Sequence, residues 1–104
     1  MEHLEKTEHL NQLFSYYGAL LTEKQQKYFI HYYHLDLSLQ EVAEMFDVSR
    51  NAVHDQLNSV EKHLMEFESK LNLLKLSLER KKILDDFEKT KDFKYIEALR
   101  KLDE

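Results

Sequence analysis

The chain has 104 residues with one Gly, no Pro and no Cys, and it carries a formal net charge of −5. This length predicts a single domain, 1–104, with a modest core, and the scarcity of helix breakers predicts an all-α fold. The missing cysteines exclude disulfides and thiolate metal sites, and no apolar stretch approaches the roughly 20 residues that cross a bilayer.

The charge is unevenly distributed. Residues 1–65 hold five Lys/Arg against ten Asp/Glu, whereas residues 66–104 hold ten of each, so the first part carries the whole excess of −5. DNA-binding domains normally show a basic face, because phosphate contacts supply much of their affinity. The N-terminal residues are charged and lack the apolar core of a signal peptide. We therefore expect a cytoplasmic protein that does not insert into membranes.

Two amphipathic helices are predicted before residue 38. The first spans residues 4–21, with Gly18 near its end as a C-cap, and its apolar residues recur at helical spacing: Leu10, Leu13, Phe14, Tyr17 and Leu21. Thr22 and Gln25 form a capping box that starts the second helix. That helix fades at residues 34–37 and carries a bulky face: Phe29, Ile30, Tyr32 and Tyr33.

A helix-turn-helix signature follows, within about residues 22–65. Ser38 and Glu41 form a second capping box, which starts a short helix at Leu39–Phe46. In the turn, Asp47 tolerates left-handed backbone angles, and Ser49 caps the helix that begins at Arg50. The apolar positions are those that lock two helices across a tight turn: Val42, Ala43, Phe46, Val48, Val53, Leu57, Val60 and Leu64. Nucleic-acid binding is therefore the first functional hypothesis.

A long helix is predicted at about residues 50–89. Its apolar residues follow an unbroken heptad spacing: Val53, Leu57, Val60, Leu64, Phe67, Leu71, Leu74 and Leu78. Ser69–Asn72 is the expected site of a kink or break, because both end residues are poor helix formers. We predict a homodimer, since an isolated helix would expose this seam; its interface residues are Val60, Leu64, Phe67, Leu71, Leu74 and Leu78. Residues 90–92 form a junction before a short last helix, residues 93–102.

The second helix of the motif, which begins at Arg50 and which we call the recognition helix, offers specific candidates for DNA contact. Its N-terminal residues would enter the major groove, where Arg50 could pair with guanine and Asn51 or Asn58 with adenine. His54 lies on the same face, and Ser49 and Lys62 would contact phosphates. Asp55 has the wrong charge unless it accepts a hydrogen bond from cytosine. The alternative is an ordinary solvated helix face of balanced charge.

The sequence gives weaker support for metal binding, base stacking or catalysis. His31 and His34 have a spacing that could seat a metal, but nothing else supports a site, so we predict neither metal nor cofactor. The aromatic residues 28–33 could stack bases, but their spacing favours core packing. In the Lys-rich C-terminal part, lysines alternate with acids, a pattern that favours a solvated face over the alternative of a strip that contacts phosphate or RNA. The sequence holds no nucleophile–base set and no phosphate loop, so we do not predict an enzyme.

Three segments together resemble one family. LLTEKQQKYF, LSLQEVAEMFDVSRNAVHDQL and LMEFESKLNL are similar to the YlxM family of small bacterial helix-turn-helix proteins, from about Leu13 to Phe87. The helix-turn-helix half also resembles region four of bacterial sigma factors. The resemblance implies a DNA-binding regulator. It also implies a role in the signal recognition particle pathway, because genes of this family tend to lie beside genes of that pathway.

Two functions stay open at this point. One is a regulatory protein that binds DNA through Arg50, Asn51, His54 and Asn58. The other is an adaptor that uses the helix-turn-helix as a scaffold and binds a protein or RNA of the targeting pathway. The acidic charge of residues 1–65 favours the adaptor, whereas the intact motif favours DNA binding.

Overall fold

A computed structural model describes residues 2–104, and all regular structure in that range is helical. The six α-helices are α1 (Glu2–Tyr17), α2 (Glu23–Phe29), α3 (Leu39–Phe46), α4 (Arg50–Leu71), α5 (Leu73–Thr90) and α6 (Lys94–Leu102). This confirms the predicted all-α class. The chain divides into two compact units: a first unit up to Lys70, which holds the helix-turn-helix, and a second unit, Leu71–Glu104.

Helix α1 ends earlier than predicted, and Gly18 has another role than the expected C-cap. The α-helix stops at Tyr17, and a single 3₁₀ turn continues over Gly18–Leu20. Gly18 does not adopt a left-handed conformation. A Cβ atom at this position would lie 3.0–3.1 Å from three ring atoms of Phe14. Glycine is therefore favoured here, because a Cβ atom would press on the Phe14 ring that packs directly on the backbone.

The Thr22 capping box that starts α2 is confirmed. The Gln25 backbone N–H donates to Thr22 Oγ1 at 3.1 Å, and the Thr22 N–H donates to Gln25 Oε1 at 3.2 Å. A π-helical turn, Ile30–His34, continues directly from α2. Asp36, which follows this turn, has a φ of 58°, an angle that Asp tolerates better than most residues.

The two helices of the helix-turn-helix begin and end around the turn as predicted: α3 spans Leu39–Phe46 and α4 begins at Arg50. Ser38 and Glu41 exchange the two capping-box hydrogen bonds, both at 3.0 Å, and Asp47 takes the left-handed conformation with φ 53° and ψ 50°. Ser49 Oγ accepts the Ala52 N–H at 3.0 Å and caps α4. The motif closes over one buried cluster: Tyr28, Val42, Ala43, Val53 and Leu57. Each of these caps satisfies a backbone group that the helix end would leave free.

Helix α1 is held against α2 and α4 by aromatic side chains. The rings of Phe14 and Phe29 are stacked with centroids 4.3 Å apart. Tyr17 donates its hydroxyl hydrogen to Glu68 Oε1 at 2.6 Å, and its ring lies 5.9 Å from that of Phe67. The first unit is thus more than a helix-turn-helix, because α1 forms part of its core.

The predicted long helix breaks at the expected place. Helix α4 ends at Leu71, Asn72 adopts a left-handed conformation with φ 55°, and α5 begins at Leu73. Helix α5 ends at Thr90, as the predicted junction requires, and Lys91 is again left-handed.

The second unit is a helical hairpin of α5 and α6. Arg80 Nη1 lies 3.5 Å from Asp103 Oδ1, and the rings of Phe87 and Phe93 lie 5.9 Å apart. Leu74 is the buried hydrophobic side chain of α5. None of the helices described in residues 2–104 is long and apolar enough to cross a membrane.

Candidate nucleic-acid interface

The predicted base-contacting residues share one exposed face of α4. Arg50, Asn51, His54 and Asn58 are all exposed. Arg50, His54 and Asn58 are four positions apart and Asn51 is three before His54, so they lie in one stripe along the helix. The opposite face carries Val53 and the other side chains buried in the motif core. The stripe is therefore presented by a helix whose rotation is fixed by packing.

His54 and Asn58 are neighbours within this stripe. Asn58 Nδ2 lies 3.5 Å from His54 Nδ1, and the same imidazole nitrogen lies 3.9 Å from Asp55 Oδ1. Ser49 is exposed, and its oxygen accepts the cap hydrogen bond described above, which leaves its hydroxyl hydrogen free to donate. The polar groups needed for base contact are thus present, with a carboxylate beside them.

Exposed carboxylates are numerous in the helix-turn-helix. Glu41 and Glu44 on α3, Asp47 in the turn and Asp55 on α4 are all exposed. The Ser38 backbone and hydroxyl hydrogen bonds lower the pKa of Glu41, so this group stays ionised well below neutral pH. The structure therefore preserves the acidic character that the sequence indicates.

Two of the five cations of residues 1–65 are already paired. Lys6 Nζ lies 3.3 Å from Glu61 Oε2, and Lys27 Nζ lies 3.3 Å from Glu23 Oε1. Both pairs are partly exposed to solvent, so each contributes little to stability. They do, however, reduce the positive charge that the first unit can offer to a phosphate.

Arg50 and Lys62 are the cations of the candidate face. Both are exposed, and no ion pair with a described carboxylate involves either of them. They are twelve positions apart on α4, which corresponds to about 18 Å along the helix axis. A single chain can therefore place about two cations of α4 against a nucleic acid.

Glu61 joins α4 to two other elements of the first unit. Besides the Lys6 ammonium, it binds Tyr33: the Tyr33 hydroxyl donates to Glu61 Oε1 at 2.5 Å. Burial, and after it this hydrogen bond to the carboxylate, raise the pKa of Tyr33 far above its ordinary value of 10.0. Glu61 thus connects α1, the π-helical turn and the recognition helix.

The raised pKa of Tyr33 predicts a loss of stability at alkaline pH. The folded chain holds the Tyr33 proton more tightly than the unfolded chain, so this contribution is complete below pH 10 and is lost as the pH rises above it. We expect the urea midpoint to fall between pH 10 and 12, and to fall less in Tyr33→Phe than in Tyr16→Phe, whose ring is exposed. Equal slopes in the two variants would contradict this assignment.

Helix α1 supplies residues beside the recognition helix that the sequence did not indicate. His3, Lys6 and Thr7 line a cavity of about 170 Å³ together with His54 and Asn58 of α4. About fifty residues separate the two groups, so no local pattern could join them. The sequence predicts that α1 is amphipathic and must pack against another element, but it does not identify α4 as that element.

The predicted dimer residues fall into two groups. Val60 and Leu64 are fully buried inside a single chain, and Leu74 is nearly so. Phe67 is half-buried, whereas Leu71 and Leu78 are 50% and 51% exposed. Val60 and Leu64 therefore cannot form an interface without opening the chain's own core, and Phe67, Leu71 and Leu78 are the members that retain surface for a partner.

The histidine and aromatic candidates occupy packing positions. The His34 ring meets the Phe29 ring edge-on at 5.5 Å, and His31 Nδ1 lies 2.6 Å from the Lys27 carbonyl oxygen. In residues 2–104, no group of His, Asp and Glu side chains is arranged to hold a metal ion. Tyr28 and Phe29 are buried in the core, as the packing interpretation predicts.

Comparisons with known proteins agree with this architecture. The model of the UPF0122 family, described as "Putative helix-turn-helix protein, YlxM / p13 like", matches residues 4–102. The chain is 46% identical to a UPF0122 protein of Bacillus licheniformis over 105 residues, which cover 96% of this chain and 98% of the relative. It is 48% identical to one of Halalkalibacterium halodurans over 89 residues, 86% of this chain and 82% of the relative. The chain therefore belongs to the UPF0122 family of YlxM-like helix-turn-helix proteins.

Proposed function

We propose that the protein is a DNA-binding regulator that inserts α4 into the major groove. The observation that carries this proposal is the exposed stripe of Arg50, Asn51, His54 and Asn58 on a helix whose other face is locked in the motif core. Arginine pairs with guanine and asparagine with adenine in the major groove. Ser49 and Lys62, at the start and along the flank of α4, would contact the phosphates.

The charges of the face set the expected strength of this binding. If Arg50 in the groove and Lys62 on the backbone each displace counterions from the DNA, the logarithm of the affinity should fall by about 1.8 per tenfold rise in salt, or about tenfold between 50 and 200 mM. A homodimer that presents two such faces would double the slope to about 3.6. The salt slope therefore separates binding by one chain from binding by two.

Arg50→Ala is the mutation that tests groove binding. We expect it to weaken binding to the preferred DNA site by about 1–3 kcal/mol, roughly 5- to 150-fold, because it removes both a base contact and one of two cations. The matched control is Lys27→Ala, which removes a positive charge already paired with Glu23 on α2. Filter binding on a selected pool of duplexes measures both variants. Equal affinities for Arg50→Ala and Lys27→Ala would overturn the groove model.

A second function has its own supporting observation. The helix-turn-helix that carries the two cations of the candidate face also carries four exposed carboxylates: Glu41, Glu44, Asp47 and Asp55. This charge suits a protein adaptor better than a strong DNA binder. The adaptor would bind a protein or RNA of the signal recognition particle pathway, a link that rests on the family resemblance. Pull-down from lysate, with and without nuclease, tests it: nuclease-resistant capture of a targeting component supports the adaptor.

A further inference from the structure

A small polar notch lies between the first turns of α1 and the recognition helix. Its cavity volume is about 170 Å³, and seven of its lining residues carry side-chain hydrogen-bond donors: His3, Lys6, Thr7, Tyr32, Tyr33, His54 and Asn58. All belong to the first unit of the chain. Ammonium, imidazole, hydroxyl and amide groups together are the donors that oxyanions attract.

Glu61, the carboxylate that lines the notch, already contacts two other side chains. Glu61 Oε2 lies 3.3 Å from the Lys6 ammonium, and Glu61 Oε1 accepts the Tyr33 hydroxyl hydrogen at 2.5 Å. Lys6 has three N–H donors and remains more than half exposed. It can therefore bind a second anion while it stays close to Glu61. The notch is neutral as a whole when its imidazoles are neutral, with Lys6 balanced by Glu61.

We propose that this notch binds a phosphate group. Lys6 supplies the charge, and Thr7 and Asn58 supply neutral donors around it. Because His54 and Asn58 also belong to the candidate base-contacting stripe, a phosphate here would lie at the edge of the DNA-facing surface. Phosphate contacts of this kind fix the register of a protein on a duplex. The source is a nucleic-acid backbone phosphate, which rests on the proposed function, or free inorganic phosphate.

The notch would add a cation from outside the helix-turn-helix. Along α4 the candidate face offers Arg50 and Lys62, and Lys6 is a third, brought in from α1 by the fold. A phosphate that approaches Lys6 competes with the partly exposed ion pair to Glu61, which is screened by solvent on the Lys6 side. Glu61 then limits the affinity, because it repels the incoming anion and holds the ammonium. Removing its charge should tighten phosphate binding.

The first experiment is a titration of the intact protein with inorganic phosphate at constant ionic strength, followed by two-dimensional amide NMR. We expect saturable shifts of Thr7, His54 and Asn58. Lys6→Gln should weaken the binding about three- to fivefold, while Lys24→Gln, the same change on α2 outside the notch, leaves it unaltered. Absence of saturable shifts at these amides in the unmodified protein, or equal weakening in both variants, would overturn the proposal.

A gain of binding provides an independent check. Glu61→Gln keeps an acceptor for the Tyr33 hydroxyl but frees the Lys6 ammonium, so the phosphate affinity should rise about three- to fivefold. The matched control is Glu66→Gln, which makes the same substitution at an exposed carboxylate of the same helix, away from the notch. If Glu61→Gln binds phosphate no better than Glu66→Gln, the assigned role of Lys6 is wrong.

Duplex DNA distinguishes the two sources of phosphate. If Lys6→Gln weakens DNA binding more than Lys24→Gln, the notch holds a backbone phosphate. If DNA binding is absent, or is insensitive to Lys6, while the NMR shifts persist, the notch binds free phosphate. Loss of DNA binding in Arg50→Ala tests the proposed function separately. A failure of phosphate binding at the notch can therefore be distinguished from a failure of DNA binding by α4.

Discussion

Replacing Phe29 by alanine is expected to lower the free energy of unfolding by about 3–5 kcal/mol. The Phe29 side chain is 0% exposed. Its ring stacks on Phe14 with an interplanar angle of 2°, lies 4.7 Å from the Tyr33 ring and meets His34 edge-on. The substitution leaves a cavity where α1, α2 and the π-helical turn converge. Since small domains are stable by only about 5–15 kcal/mol, much of the chain should be unfolded at moderate urea.

Phe93→Ala is the matched control for this prediction. It is the same substitution in the second unit, at a side chain that is 78% exposed. An exposed position away from a core normally changes stability by less than about 0.5 kcal/mol. Urea unfolding followed by circular dichroism measures both variants. If Phe29→Ala were no less stable than Phe93→Ala, α1 would not be packed as the structure places it.

The helix-turn-helix could be predicted from sequence because its signals are local. Each capping box involves residues three positions apart, and a left-handed turn residue is selected by its own side chain. Ser38, Asp47 and Ser49 therefore set the ends of α3 and the start of α4 without any knowledge of the tertiary fold. The break at Asn72 was predictable for the same reason, because poor helix formers act on their own backbone.

The features that escaped prediction depend on contacts between distant segments or between turns. Gly18 was expected to cap a helix, but its position is explained by the Phe14 ring that packs on it. The π-helical turn after Phe29 inserts an extra residue without any local breaker. The cluster of His3, Lys6 and Thr7 beside His54 exists only once α1 has packed. Sequence periodicity shows that α1 has an apolar face but does not identify the surface that covers it.

The heptad run is ambiguous in the same way as the apolar face of α1. A repeat of apolar residues shows that one side of the helix is buried, but it does not show whether the same chain or a second copy buries it. Val53, Leu57, Val60 and Leu64 are buried within one chain. The later positions Phe67, Leu71 and Leu78 keep exposed surface. The first half of the run is therefore core of the first unit. The predicted homodimer can draw only on the second half, where half-exposed leucines would gain from a partner's apolar surface.

Leu57→Ala and Leu71→Ala separate these two roles on one helix. Leu57 lies in the motif core, so Leu57→Ala should destabilise the protein by about 2–5 kcal/mol at every protein concentration. Leu71 is half-exposed in a single chain, so Leu71→Ala should leave unfolding of the dilute protein within about 0.5 kcal/mol of the original. At micromolar concentration we expect the unmodified chain to sediment as a dimer and Leu71→Ala to dissociate at least about tenfold more readily.

The concentration dependence decides whether the exposed half of the run is an interface. In a dimer the truncation removes apolar contact twice, once from each chain, so even a modest loss at each Leu71 shifts the monomer–dimer equilibrium strongly. The salt slope of DNA binding should change with it, from about 3.6 to about 1.8, because the number of cations on phosphates is halved. A clean monomer at micromolar concentration, with the same salt slope in the unmodified chain and in Leu71→Ala, would mean that the leucines after Phe67 serve no second copy.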